Sequence, residues 1–275
     1  MINNNLYRFR KILSNVIRLN FIKFKIGDSV SSSKTKGVIP NIVFQTTKSK
    51  WIPVRFWLDV KKFRARNPDF TFLTFNQPAM ATWMKENYKN TTILRAFENS
   101  ELGVMQSDIF KYCYAYKNGG ISLDSTKYFT KMLNSMFCIN ECTMILSQET
   151  NPTDDEAIAN KLLQLNLSQS LIINWCFASV PLNPAIESVI RHIEENYFKN
   201  KSAKFKDVKY GVWQMTGPLA FNFGLLQYFT ETLESTISIK GSDFDEPVWP
   251  KFKNANLVNI FSRHYVELSN LVLFK

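Results

Sequence analysis

Residues 107–126 read SDIFKYCYAYKNGGISLDST, and this stretch decides the class of fold. Ile109, Tyr112, Cys113 and Tyr116 recur at three- and four-residue spacing, which puts them on one face of a helix. Asp108 and Lys111, three apart, set an anion and a cation side by side on one turn. Asn118-Gly119-Gly120 ends that helix, because only glycine takes positive φ cheaply. Ile121 and Leu123 then read as buried positions of a short strand. Asp124 falls at the strand's exit, where α/β proteins place their ligands. With the hydroxyls of Ser125 and Thr126 it offers oxygen donors to a hard divalent cation, an arrangement suited to a metal-held diphosphate.

The flanking sequence repeats the strand–helix alternation. A strand is expected over 39–46, opened by Pro40, then a helix over 53–65, a turn at Asn67-Pro68-Asp69 and a strand over 70–75. A helix over 79–88 precedes the signature stretch. Beyond it come a strand over 143–147, a helix over 154–165, an extended segment over 172–179 and a helix over 184–197. This predicts an α/β fold: a mainly parallel mixed sheet flanked by helices. The aromatic-rich last third carries the weakest periodicity.

The chain has 275 residues, 45% of them apolar and 23 of them phenylalanine, enough for one large core. Its net charge of +11 is unevenly spread. Residues 1–37 hold eight Lys/Arg and one acid, net +7, so residues 38–275 carry only +4. The charge marks an arm and not a nucleic-acid groove, and no nucleic-acid partner is expected. Within residues 6–26, Leu6, Phe9, Leu13, Val16 and Ile17 fall near one helical face. Two readings stay open: a helix packed on the domain, or a basic amphipathic helix on an anionic membrane surface. Residues 27–37, rich in Gly, Ser and Lys, read as a linker before a domain spanning 38–275.

Cys113, Cys138, Cys142 and Cys176 form no CxxC pair and no Cys/His cluster, so reduced, structural thiols in a reducing compartment are expected. No apolar run is long enough to span a bilayer, and Arg18 and Lys23 interrupt any signal-peptide core. The expected location is cytoplasmic, peripheral on the membrane if the arm docks there.

Four blocks, in order, resemble the DXD-containing glycosyltransferases of family 32. They are Ile39-Pro40-Asn41-Ile42-Val43-Phe44-Gln45-Thr46; Ser107-Asp108 and Lys111 with residues 118–124; residues 173–179 with Pro181 and Pro184; and Tyr210 with Thr216-Gly217-Pro218. The resemblance runs from Ile39 to about His264. It implies a GT-A-like domain that moves a sugar from a nucleotide-diphosphate donor to a glycan or lipid-linked acceptor, with retention of configuration. It implies Mn²⁺ or Mg²⁺ as cofactor. By the same resemblance Asp124 and Asn174 are the catalytic candidates. Gln45, Asp108, Lys111, Gly119, Gly120 and Arg263 would bind the donor, and Asp124, Thr126 and His264 the metal.

Two departures stand out. Lys111 replaces the family's arginine, keeping the charge but losing the two-pronged donor geometry. Thr126 replaces the second aspartate of the DXD pair, and a hydroxyl is a poorer metal ligand than a carboxylate. Thr126 therefore also motivates a second reading, a non-catalytic subunit that binds a nucleotide sugar. A membrane-surface scaffold is a third, motivated by the arm.

Overall fold

The computed structural model describes residues 21–23, 38–47, 51–125, 127–229, 236–245, 265 and 268–275, with the backbone alone for 21–23 and 51–57. In chain order the elements are β1 (Phe21–Lys23), β2 (Ile42–Thr46), β3 (Trp51–Pro53), α1 (Val54–Ala65), β4 (Thr71–Phe75), α2 (Gln77–Asn87) and α3 (Thr92–Asn99). Next come α4 (Gly103–Asn118), β5 (Gly120–Leu123), α5 (Leu133–Met136), β6 (Met144–Gln148), α6 (Glu156–Gln164) and β7 (Cys176–Ser179). The remainder is α7 (Pro184–Asn200), β8 (Lys204–Phe205), α8 (Val208–Met215), α9 (Pro218–Phe229), β9 (Ile237–Ser242) and β10 (Leu271–Val272).

Six strands form one sheet in the order β4-β2-β5-β7-β6-β9. β2 is parallel to β4 and β5, β6 is parallel to β9, and β7 runs against both its neighbours. Five of the six strands thus point one way, as the strand–helix alternation predicts. Side chains alternate across the sheet and build two apolar layers. Ile42, Phe44, Leu73, Met144, Leu146 and Phe177 enter the larger layer. Val43, Ile121, Leu123, Ile145, Cys176 and Ala178 enter the smaller one on the other face. Near-continuous apolar strands such as IVF in β2 follow from burial on both faces.

Local sequence explains most helix starts. The side chains of Asn76, Thr91, Asp155, Asn183 and Asp207 each accept a backbone N–H in the first turn of the helix that follows. α4 differs. Residues 108–115 are all buried, although no single apolar stripe dominates the sequence there. Such a helix belongs inside a protein, between the sheet and other helices.

After β2 the chain moves one way to β4, and after β5 it continues the other way towards β7 and β6. The gap between β2 and β5 is therefore the point at which the winding of the sheet reverses, and ligands of open α/β sheets bind above such a point.

The arm differs from expectation at three residues. Phe21–Lys23 are extended and pair antiparallel with Trp51–Pro53, so a helix does not run through them. The rest of the arm and linker, with Thr126, Arg263 and His264, lies outside the described residues. Among the described residues no helix is long and apolar enough to cross a membrane.

Candidate functional site

α4 delivers Asp108 and Lys111 to the edge of the sheet where β2 and β5 end. The two form an ion pair at 2.8 Å. Each residue is only 6% exposed, so this is not a solvated surface pair. Asp108 also accepts a hydrogen bond from the Thr216 hydroxyl at 3.3 Å, which ties α4 to the turn between α8 and α9. The second carboxylate arrives from β5. Asp124 sits just past the strand, its N–H donating to the Trp175 carbonyl at 2.8 Å and its own carbonyl accepting from Lys127 N at 2.9 Å. Gln45, at the end of β2, donates from its side-chain amide to that same carbonyl at 3.5 Å. Gln45 and Asp124 thus bridge the gap where the winding reverses.

The electrostatics are those of one buried cation between two carboxylates. Burial pushes the Asp108 carboxyl above its ordinary range, against the pull of Lys111, and Asp124 adds repulsion. Burial likewise raises Asp124, with Lys111 and Lys127 pulling back. Burial alone would lower Lys111, but the charges of Asp108 and Asp124 and its hydrogen bond to Asp108 win, and the ammonium is held above its usual value. Among the described residues of the cluster, Lys111 is the one cation in direct contact with a carboxylate, so Asp124, without an ion-pair partner of its own in that contact, is the acceptor open to a proton donor or a cation. A ligand hydroxyl is a group that could supply the first, and a divalent ion the second.

Around the cluster lie groups that shape a pocket edge. Asn174 donates to the buried Tyr112 hydroxyl at 3.1 Å, so the catalytic candidate two residues before β7 is aimed by α4. Tyr112 is itself stacked on Phe221 of α9, with ring centroids 5.3 Å apart. Thr46 and Ser107 share a hydroxyl–hydroxyl bond. Arg64 donates to the side-chain oxygens of Gln45 and Thr74, each at 3.3 Å. Lys127 lies 4.8 Å from the centroid of the Trp175 ring. Tyr265 belongs to the same field: burial raises its hydroxyl, and the charge of Asp108 raises it further.

The structure brings together Gln45, Asp108, Lys111, Asp124 and Asn174. It does not bring Gly119 and Gly120 to them. Gly119 caps α4 and Gly120 begins β5, about 13 Å from Asp124 at some 3.3 Å per strand residue, at the other end of the strand. Their part is structural. Gly119 has φ 67° and Gly120 φ 103°, and a Cβ on Gly120 would lie 2.7 Å from the Ile42 carbonyl oxygen. Close approach of the turn to β2 needs Gly120, and Gly119 makes room for the Ser179 carbonyl and the Pro181 ring, which a Cβ there would meet at 2.8 and 2.7 Å.

Arg64, Lys127, Trp175 and Tyr265 are the neighbours that sequence reading misses. Lys127 had a signal, being three residues past Asp124; the others come from distant segments with no motif. Among the described residues no three His, Cys, Asp or Glu side chains gather as a metal cage. Asp124 is the carboxylate that a cation could share, since Asp108 is bound to Lys111 and Thr216. The other two metal candidates, Thr126 and His264, lie outside the described residues.

No family model matches the chain, and no curated protein does. Among solved structures the chain is similar to one described as "PaToxG Glycosyltransferase", with a TM-score of 0.52 at 14% identity over 70% of this chain and 71% of that one. The shared property at this identity is the fold, and function has to be argued from the site.

Proposed function

We propose that the chain is a glycosyltransferase that takes a sugar from a nucleotide-diphosphate donor and passes it to a glycan or lipid-linked acceptor with retention of configuration. One observation carries this reading: a buried Asp108–Lys111 pair faces Asp124 above the reversal point of a sheet whose fold is that of a glycosyltransferase. Membership of family 32 is part of the proposal and rests on the four sequence blocks.

Each residue has a role that its position supports. Gln45 and Thr46 line the β2 side, where a base and ribose would enter. Asp108 and Asp124 accept hydrogen bonds from ribose or sugar hydroxyls. Lys111 is engaged with Asp108, so it positions that carboxylate and offsets its charge; it is not a free phosphate ligand. Asn174, steadied by Tyr112, faces the transferred sugar. Asp124, with Thr126 and His264, would hold Mn²⁺ or Mg²⁺, and the ion when bound supplies electrostatic stabilisation of the leaving diphosphate. The neighbouring carboxylate of Asp108 is engaged by Lys111 and Thr216 and so is not free to act as a nucleophile, which favours a front-face route in which the leaving phosphate accepts the acceptor's proton.

Thr126 supports one further reading, a subunit that binds a nucleotide sugar without turning it over. A screen of nucleotide sugars, with and without Mn²⁺, tests both. The transferase reading expects thermal stabilisation by one donor, because ligand binding to the folded state raises the melting temperature, together with slow donor hydrolysis. Stabilisation without hydrolysis or transfer would favour the binding subunit. Absence of either with every donor would sink the proposal.

A further inference from the structure

The net charge of +4 on residues 38–275 has one source. Residues 198–210, FKNKSAKFKDVKY, hold five lysines and one aspartate, net +4, so the remaining residues of the domain sum to zero. This segment spans the end of α7, the strand β8 and the start of α8. Lys199, Lys201, Lys204, Lys206 and Lys209 are all exposed. The one acid among them, Asp207, is held at the start of α8, where it accepts the Tyr210 N–H at 2.9 Å. Two aromatic side chains stand out among the lysines: Phe198 is 63% exposed and Tyr210 45% exposed.

We propose that this segment is a surface that docks the domain on an anionic lipid bilayer. Lysines on a polyanion require only charge, whereas an exposed phenylalanine beside them gains by entering the headgroup and acyl boundary. Tyrosine suits the same boundary, with an apolar ring and a polar tip. The surface is firmly seated. β8 pairs antiparallel with β10, and Gly211 lets α8 lie so close to Phe205 that a Cβ there would be 2.7 Å from the ring. Docking also has a geometric consequence. α8 runs from this segment to Thr216, which bonds Asp108, and eight helical residues span about 12 Å. A bilayer bound at residues 198–210 would hold the cluster of carboxylates within about a helix length of the lipid headgroups. Docking is independent of the proposed sugar transfer; only its consequence, presentation of a lipid-linked acceptor, rests on that reading.

The test uses the full chain, arm included, with vesicles of phosphatidylcholine alone or mixed with phosphatidylserine. Lys201→Gln, Lys204→Gln and Lys206→Gln are combined in one variant, and Phe198→Ser forms a second. Lys199 and Lys209 are spared, because they contact Glu195 and Trp213. At about fivefold per lysine, the triple variant should bind the anionic vesicles on the order of a hundredfold more weakly. Phe198→Ser should also weaken binding, and wild type should ignore phosphatidylcholine alone. Amide hydrogen exchange over 198–210 should slow when anionic vesicles are added. Unchanged affinity of the triple variant with unchanged exchange over 198–210 would overturn the proposal and leave any binding to the arm. Wild-type affinity for an RNA or an anionic glycan, lost in the triple variant while vesicle binding persists, would overturn it in favour of a polyanion site. Donor hydrolysis in solution should be equal in wild type and triple variant, so the reading of the carboxylate cluster is judged separately.

Discussion

Helices α4 and α7 each hold an acid and a lysine within one turn: Asp108 with Lys111 at 2.8 Å, and Glu195 with Lys199 at 3.2 Å. The sequence spacing is almost the same, and the physical consequences differ widely. The α7 pair is open to water, with side chains 43% and 70% exposed, where screening reduces such contacts to a few tenths of a kcal/mol. The α4 pair is buried between the end of the sheet and the α8–α9 turn, with side chains 9% and 7% exposed, so neither charge has water to fall back on. A buried pair of this kind contributes little net stability, and its value lies in fixing one geometry. The comparison separates a helix built around a site from a helix whose charged end faces outward.

Breaking the α4 pair from one side gives the largest effect. Lys111→Met leaves Asp108 buried without its cation and should destabilise the domain by about 3–5 kcal/mol, read as a fall in denaturant midpoint. A variant with both Asp108→Asn and Lys111→Met should recover part of that loss while abolishing donor binding. If the single variant is as stable as wild type, the pair is not enclosed as described.

Second in size is the turn that feeds β5. Gly120→Ala forces a Cβ onto φ 103° and against the Ile42 carbonyl. A destabilisation of about 2–3 kcal/mol is expected. Donor affinity per folded molecule should be unchanged, since Gly120 lies at the other end of β5 from Asp124.

Asp124 sharpens the comparison by uncoupling stability from activity. Its carboxyl is raised by burial, so ionising it opposes folding. The folded state then binds more protons than the unfolded one, and stability falls as pH rises from the ordinary value towards the raised one. Asp124→Asn removes this slope. It should leave melting temperature at neutral pH equal or slightly higher, flatten the weakly acidic part of the stability profile, and eliminate donor turnover. Retained turnover in this variant would remove Asp124 from the site. The smallest effect belongs to α7: Lys199→Ala should cost only a few tenths of a kcal/mol.

Much of the architecture was legible because backbone physics is local. The helix over residues 107–118, the glycine break and the strand leading to Asp124 all follow from spacing and from the freedom of glycine. The alternation that announces a mainly parallel sheet follows likewise. Less legible was α9, whose apolar residues serve a buried interior from several sides and so lack a clean stripe; α3 and α8 do carry regular stripes, Ile93, Leu94 and Phe97 in one and Val208, Val212 and Met215 in the other, but both are only eight residues long. The reversal of β7 was also invisible, since an apolar run such as Cys176–Ser179 pairs equally well in either direction. Asp108, Lys111 and Asp124 were named by spacing and family resemblance, and Gly119 and Gly120, drawn in by the same motif, lie at the other end of β5. The distance along one short strand separates the two ends of that motif.

The sequence by itself determined the order of elements, the caps that start most helices, the glycine turn and the concentration of charge in residues 1–37 and 198–210. These depend on φ/ψ preferences, on hydrogen bonds spanning a few residues and on composition. Tertiary structure alone decided that Asp108 and Lys111 are sealed from water, that Thr216 reaches Asp108 across 108 positions of sequence, and that Asn174 rests on Tyr112. Burial and long-range pairing set the protonation and the aim of those side chains. Both depend on which segments pack together, and no local preference encodes that.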